Sequence, residues 1–335
     1  IRFTGIVQGV GFRPLVSMLA HQLGINGFVY NDSSGVYVEA QSDTDTLQLF
    51  VDTIQEEQPR LCRITHVGIT KVAPHDVDDN TEFVISKSPL EGTVNTFISA
   101  DTSPCEDCLS EMNEKGRRYH YPFINCTNCG PRYSIIKSMP YDRERTTMSD
   151  FTMCEACHDE YVDVNGRRYH AEPNACEQCG PSYQLLDNNG NLCVVDDCFE
   201  VAREMIAKGA IIALKGIGGY HLVCDATNDT AVQTLRDRKH RKDKPFAIMA
   251  GSIDIVEEFA IVSDGDLDAL SSMARPIVLL EKNDDFHTSI SELVAPNNHL
   301  IGVMLPYAPI HHVLVPHDAK WVMTSGNASG DSVIY

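Results

Sequence analysis

The chain has no apolar run long enough to cross a membrane, and it has little positive charge to set against its acids. Its 335 residues carry 27 Lys and Arg against 47 Asp and Glu, a formal net charge of -20. Nucleic acid is held mainly by neutralising phosphates with Lys and Arg, so this balance argues against nucleic acid as a partner. The missing apolar run excludes a helical membrane span. The sequence opens on a strand-like run at Ile1–Ile6 and is expected to carry no signal peptide ahead of it. Cysteines placed to form disulfides are scarce too. Eight of the twelve belong to one repeated pattern, and Cys62, Cys193, Cys198 and Cys224 show no tight pairing. These four read as small, buried apolar residues. The usage predicts a reducing, cytoplasmic setting. Both ends look cut: the chain opens inside a strand-like run without Met and stops at Ile334-Tyr335. A fragment of a longer polypeptide is expected. Apolar content of 43% is that of a globular protein, and the length suits two or three domains.

The repeated pattern is Cys105-x-x-Cys108 with Cys126-x-x-Cys129, then Cys154-x-x-Cys157 with Cys176-x-x-Cys179. Gly116-Arg117-Arg118-Tyr119-His120 recurs as Gly166-Arg167-Arg168-Tyr169-His170, and Cys129-Gly130-Pro131 recurs as Cys179-Gly180-Pro181. Paired Cys-x-x-Cys clips at this separation are a zinc signature. Four thiolates close a tetrahedron and leave no open position, so two structural zinc ions are expected. Sequential pairing of the clips is simplest, although twin repeats can exchange them. His120 and His170 recur with the repeat and are expected in the core or beside the metal rather than on it. From Asp101 to Ser182 there are 14 Asp and Glu against 9 Lys and Arg, which suits a spacer or docking surface better than a nucleic-acid reader.

Three segments are expected: 1–88, 89–182 and 183–335. In the first, Ile1–Ile6 reads as a strand and Pro14–Leu23 as a helix with Pro in its first turn. Strands at Gly27–Asn31 and Val36–Gln41 flank the turn signal Asp32-Ser33-Ser34-Gly35. Thr44–Glu57 has helical spacing, and Arg63–Val72 and Glu82–Ile85 supply further strand. This βαββαβ order predicts a ferredoxin-like sandwich. A linker is expected at Ser88–Thr96. The last segment reads as α/β. Its expected helices are Cys198–Lys208, Asp229–Lys239 and Asp264–Met273. Its expected strands are Ala210–Leu214, Phe246–Met249, Ile277–Leu280, Gly302–Leu305 and Trp321–Thr324.

Val7-Gln8-Gly9-Val10-Gly11-Phe12-Arg13 joins strand to helix. Glycines let backbone N–H groups converge on an anion, the helix N-terminus adds positive potential, and an Arg fork can hold two phosphate oxygens. An isolated loop of this kind is usually only a turn. Here Gly5-x-Val7-Gln8-Gly9-Val10-x-Phe12-Arg13, with Gly27-Phe28-x-x-Asn31-x-x-x-Gly35, resembles acylphosphatase across the whole first segment. The resemblance implies Arg13 as phosphate ligand, Asn31 as the residue that orients water, and Gln8, Gly9, Val10, Gly11 and Phe12 as the phosphate loop. Tyr30 and Tyr37 depart from the family's usual residues without removing a catalytic group. The implied reaction is hydrolysis of a carboxyl–phosphate anhydride, in which positioning and charge stabilisation can carry the rate.

In the last segment Lys215-Gly216-Ile217-Gly218-Gly219-Tyr220-His221 follows a buried strand, and Leu235–Ala247 holds the one dense basic run. On charge alone the run could be a solvated helix end. Together with Arg275-Pro276 and Ser325-Gly326-Asn327-x-Ser329-Gly330, these stretches resemble the YrdC-like domain of threonylcarbamoyl-adenylate synthases. Lys239-x-Arg241 and Ser325-x-Asn327 match its signatures. The Gly218–Leu222 stretch matches its substrate loop in position only, since both threonines are absent. The resemblance implies a nucleotide and carbamate site at Lys215, Tyr220, His221, Lys239, Arg241, Ser325 and Asn327, with ATP and Mg2+.

The three segments in this order resemble the carbamoyltransferases of NiFe-hydrogenase maturation. That resemblance implies carbamoyl phosphate and ATP as substrates, and the C-terminal cysteine of the protein HypE as acceptor, through a transfer domain absent from this chain. Two rivals stand beside it: a tRNA threonylcarbamoyl-adenylate synthase-like enzyme with extra domains, and a non-enzymatic zinc adaptor.

Overall fold

The computed structural model describes residues 1–73, 82–89 and 96–327. Most of the expected linker, the Ser329-Gly330 end of the last motif and the chain's final residues lie outside these. Two compact units form: 1–101 with 124–181, and 102–123 with 182 onward.

The first unit begins as the sequence predicts. β1 (Arg2–Ile6), α1 (Phe12–Gln22), β2 (Asn26–Asp32), β3 (Gly35–Gln41), α2 (Thr44–Glu56), β4 (Arg63–Gly68) and β5 (Val84–Ile85) build a five-stranded sheet. The strand order is β4-β1-β3-β2-β5, with β1 antiparallel to β3 and β4. Alternate residues Val29, Val36 and Val38 enter a core with Val16, Leu19, Phe50 and Ile54 from the helices. Cys62 is fully buried in this core. α1 starts two residues before the expected Pro14. Gly11 takes a left-handed φ of 81° at its N-cap, and this turns the loop directly into Phe12. Pro14 still lies in the first turn, where its missing N–H costs no bond. Arg13 is thereby fixed on the first turn of a rigid helix.

Two short helices follow the first cysteine of each repeat: α3 (Glu106–Asn113) and α4 (Glu155–Val162).

In the second unit α5 (Cys198–Ala207), β6 (Ile212–Lys215), β7 (Tyr220–Asp225), α6 (Asp229–Arg238) and β8 (Ala247–Ala250) come first. Then come α7 (Ile253–Glu257), β9 (Ala260–Ile261), α8 (Asp264–Ser271), β10 (Val278–Lys282), α9 (Phe286–Ser289), β11 (Leu300–Met304), α10 (Pro309–Leu314) and β12 (Lys320–Ser325). The seven strands run in the order β6-β7-β12-β8-β11-β10-β9, and only β8 and β11 pair in parallel. Val322 packs into one hydrophobic cluster, with Val232 and Leu235 of α6. Trp321 and Met323 pack into another, with Ile206 of α5 and Leu314 of α10. Strand alternation puts these clusters on opposite faces, so helices cover both sides of the sheet. That is why its central strands read as unbroken apolar runs. β7 was not among the expected strands. Tyr220-His221 reads as the end of a glycine loop, yet it starts a strand, and Lys215 pairs with Tyr220 across a hairpin.

Candidate active sites and metal centres

In both repeats the four sulfurs lie within 4.8 Å of one another: Cys105, Cys108, Cys126 and Cys129, and then Cys154, Cys157, Cys176 and Cys179. Pairing is sequential. Sulfur separations are 3.7 Å for Cys126–Cys129, 3.8 Å for Cys154–Cys176 and Cys176–Cys179, and 3.6 Å for Cys157–Cys179. Four thiolates about 2.3 Å from a tetrahedral zinc stand about 3.8 Å apart, so the donor sets fit two zinc ions with no open position. Neither repeat histidine joins a sulfur group. His170 is half-buried, with Nδ1 3.1 Å from the Tyr161 hydroxyl. His120 is exposed and stacks on Tyr119, so the expected core role does not hold for it. Cys193 and Cys198 are only half-buried, unlike Cys62 and Cys224.

The glycine loop of the first unit closes around a cavity of about 20 Å3, room for roughly one water. Gly9 and Gly11 hold φ values of 70° and 81°. A Cβ on Gly11 would come within 2.8 Å of Thr127 Cγ2, and one on Gly9 within 3.2 Å of Arg132 Cδ. Glycine is therefore required for the backbone shape and for close approach alike. Val10 and Phe12 turn their side chains into the core, which leaves only their backbone to face an anion. Gln8 does not reach the cavity with a free group. Its Nε2 donates to the carbonyls of Asp32 and Gly35 at 2.7 Å, and its Oε1 accepts from the Tyr141 N–H at 3.0 Å. Its side chain is a brace rather than a phosphate ligand.

Arg13 and Asn31 do meet at this cavity. Arg13 is 8% exposed. Its Nη1 donates to Asp142 Oδ1 at 2.6 Å, and its Nη2 donates to Glu172 Oε1 at 2.8 Å and to the Tyr141 carbonyl at 3.1 Å. Asn31 is fully buried and donates to the same carbonyl at 3.0 Å, while its Oδ1 has no partner. Burial works against the Arg13 charge, but Asp142 and Glu172 outweigh it and hold the guanidinium above its ordinary pKa. Burial pushes the Glu172 carboxyl up, against the pull of Arg13. His170 also lines the cavity, and burial followed by Arg13 lowers it to about 4. A second, open cavity of about 630 Å3 shares Arg13, His170 and Glu172 with the first.

The second unit has a cavity of about 610 Å3 lined by His221, Arg241, Arg275, Tyr307, Thr324 and Ser325, among others. β12 pairs with β7 so that Ser325 faces His221 across the ladder. His221 Nε2 lies 3.1 Å from the Tyr307 hydroxyl, and burial lowers its pKa. Arg241 lies 4.8 Å over the Phe246 ring and donates to the Lys244 carbonyl at 3.0 Å. Lys239 and Asn327 are not among the lining residues. Lys239 Nζ donates to the carbonyls of Ser325 at 2.7 Å and Asn327 at 2.6 Å, so it pins the Ser-x-Asn turn. Lys215 lies 4.8 Å over the Tyr220 ring, and neither lines this cavity. Arg236, on the same basic run, is buried and donates to the carbonyls of Arg241 and Lys242 at 2.9 Å, so the run is not wholly a solvated helix end.

Three family profiles match. "Acylphosphatase" covers residues 1–85, "HypF finger" covers 105–136 and 153–186, and the Sua5–YciO–YrdC family, described as "Telomere recombination", covers 204–335. Carbamoyltransferase HypF of Rhodobacter capsulatus is 44% identical over 331 residues, 98% of this chain and 43% of the relative. Carbamoyltransferase HypF2 of Cupriavidus necator is 40% identical over 352 residues, 100% of this chain and 43% of the relative. A crystal structure of full-length HypF in a phosphate- and nucleotide-bound form superposes with a TM-score of 0.91 at 43% identity, covering 99% of this chain and 43% of that one.

This chain belongs to the HypF family. It spans somewhat under half the length of the HypF relatives it matches. The two sheets are the acylphosphatase-like and YrdC-like folds of that family, and the two sulfur groups lie in the HypF finger matches. The sequence alone did not point to Tyr141, Asp142, Glu172, Arg275 or Tyr307 as site residues. Tyr141 and Asp142 fall between the two matched finger stretches. Glu172 had a usable signal. Aligning the repeats on Gly116 and Gly166 places it opposite Pro122, so an acid stands where the twin is apolar.

Proposed function

We propose that this chain carries out the first two steps of a hydrogenase-maturation carbamoyltransferase. Residues 1–88 hydrolyse carbamoyl phosphate, 89–182 form the zinc module, and 183–335 activate the released carbamate with ATP. In the first step a water held by Asn31 Oδ1 attacks phosphorus. The bond from phosphorus to the carboxyl oxygen breaks, and carbamate leaves as phosphate forms. Arg13 and the backbone of residues 9–13 neutralise the phosphoryl oxygens as charge shifts toward the leaving group. In the second step a carbamate oxygen attacks the α-phosphorus of ATP, pyrophosphate leaves, and carbamoyl-adenylate results. Lys239 positions the turn carrying Ser325 and Asn327, while Arg241 and Arg275 supply charge at the cavity. Mg2+ would shield the triphosphate. Delivery of the carbamoyl group to the C-terminal cysteine of HypE is assigned to sequence beyond these residues.

The observation that carries this reading is the meeting of Arg13 and Asn31, both buried, at one small cavity behind a two-glycine loop. Phosphate release from carbamoyl phosphate tests it. The chain should release phosphate and the Arg13→Ala variant should not; equal rates would overturn the assignment.

A further inference from the structure

We propose that Glu172 selects the acyl half of the substrate, accepting an N–H from an amino-bearing acyl phosphate and disfavouring one that brings a methyl group instead. This rests on the hydrolytic reading above and names the residue that sets its substrate class. The phosphoryl end is served by the loop backbone and Arg13. The rest of the cavity wall offers acceptors at Glu172 and Asn31, and its other guanidinium, Arg132, spends its donors on the carbonyls of Gly9, Cys126, Thr127, Cys129 and Pro131. Glu172 is 3% exposed and lines the cavity beside Asn31 and Tyr141. Its Oε2 is fully used, accepting from the Arg143 N–H and the Tyr161 hydroxyl, each at 3.0 Å. Its Oε1 has one partner, Arg13 Nη2. A carboxylate oxygen accepts two hydrogen bonds, so Oε1 keeps one acceptor site. The Tyr141 carbonyl has no such reserve, since Arg13 and Asn31 both donate to it.

A buried acid facing a phosphate dianion is repulsive unless cations and donors offset it. Arg13 and Arg132, both on the cavity wall, are two offsets, and an amino group on the substrate supplies a further donor at Glu172 itself. The two acids on Arg13 also differ in freedom. The Asp142 side chain is 22% exposed against 3% for Glu172. The phosphoryl group takes the place of Asp142 at Nη1, while Glu172 stays on Nη2 next to the acyl group. A site built to bond an N–H rejects the analogue that lacks it.

The test compares kcat/KM for phosphate release from carbamoyl phosphate and from acetyl phosphate, using the 335-residue chain and its Glu172→Met and Glu172→Gln variants. Bound zinc reports that each has folded. The parent should favour carbamoyl phosphate by about ten-fold or more. Met, which keeps the bulk and removes the acceptor, should bring the ratio to near one. Gln, whose amide oxygen can occupy the Oε1 position, should keep part of the preference. If Met slows both substrates equally and leaves the ratio intact, Glu172 only positions Arg13 and the proposal is overturned. A parent that does not discriminate overturns it as well, while leaving the hydrolytic reading standing. A parent that releases phosphate from neither acyl phosphate sinks the hydrolytic reading itself. Should Glu172→Met lose its zinc, Glu172→Asp draws the carboxylate back by one methylene and carries the same expectation of a lost preference.

Discussion

Arg13 and Glu172 are 159 residues apart in sequence and 2.8 Å apart at Nη2 and Oε1. An acylphosphatase-like loop and a cysteine-rich repeat thus share one buried ion pair within a single compact unit. Burial isolates both charges from water, so losing either partner strands the other.

Arg13→Ala should reduce phosphate release from carbamoyl phosphate by about 100-fold or more, the scale of losing a principal oxyanion donor. Arg13→Lys should rescue little. A single ammonium cannot span Asp142, Glu172 and the Tyr141 carbonyl as the planar fork does. Steady-state kinetics on both variants checks this.

Metal content links the repeats to the same chemistry. The chain should bind two zinc ions, and Cys176→Ser should bind one. Glu172 lies four residues before Cys176. Loss of that ion should therefore lower phosphate release as well as stability, because structural zinc contributes folding energy directly. Metal analysis alongside the hydrolysis assay separates the two effects.

In the second unit, Lys239→Met should leave the carbonyls of Ser325 and Asn327 without their shared donor. The expected cost is about 1–3 kcal/mol, read from the urea midpoint. Exchange of pyrophosphate into ATP should fall further than stability does, since the turn carrying Ser325 would no longer be held at the cavity.

His312 gives a pH signature. Burial, and then Arg275, lower its pKa to about 4 from an ordinary 6.5. Between those values the unfolded chain binds a proton that the folded chain does not, so stability falls as pH drops from 6.5 toward 4. His312→Gln should remove its own share of that loss, up to about 3 kcal/mol, while the shares of His170 and His311, which burial also lowers, persist. Urea midpoints of parent and variant across this window isolate it from zinc-ligand protonation, which both share.

The sequence made the cysteine centres legible because metal ligation is local: two short clips at fixed spacing state the geometry. The βαββαβ order was legible because each element carries its own period and turn signals. Side-chain destinations were not. Gln8 reads as part of a phosphate loop, but its amide braces the Asp32–Gly35 turn and the Tyr141 backbone. Lys239 and Arg236 look alike on the basic run. One pins the Ser325–Asn327 turn and the other holds the Arg241–Lys242 backbone. Asp142 and Glu172 meet Arg13 only through long-range packing, which no window of sequence displays. β7 was hidden because Gly218-Gly219 draws Tyr220-His221 into a loop pattern, whereas pairing with β12 makes it a strand.

Pyrophosphate exchange into ATP that depends on added carbamoyl phosphate tests both sites at once. With no carbamate added, the parent chain should show exchange only when carbamoyl phosphate is present, and Arg13→Ala should abolish that exchange while exchange supported by added carbamate survives. Exchange that proceeds with neither compound added, or carbamoyl-phosphate-dependent exchange that Arg13→Ala leaves unchanged, would contradict the coupling of hydrolysis to activation.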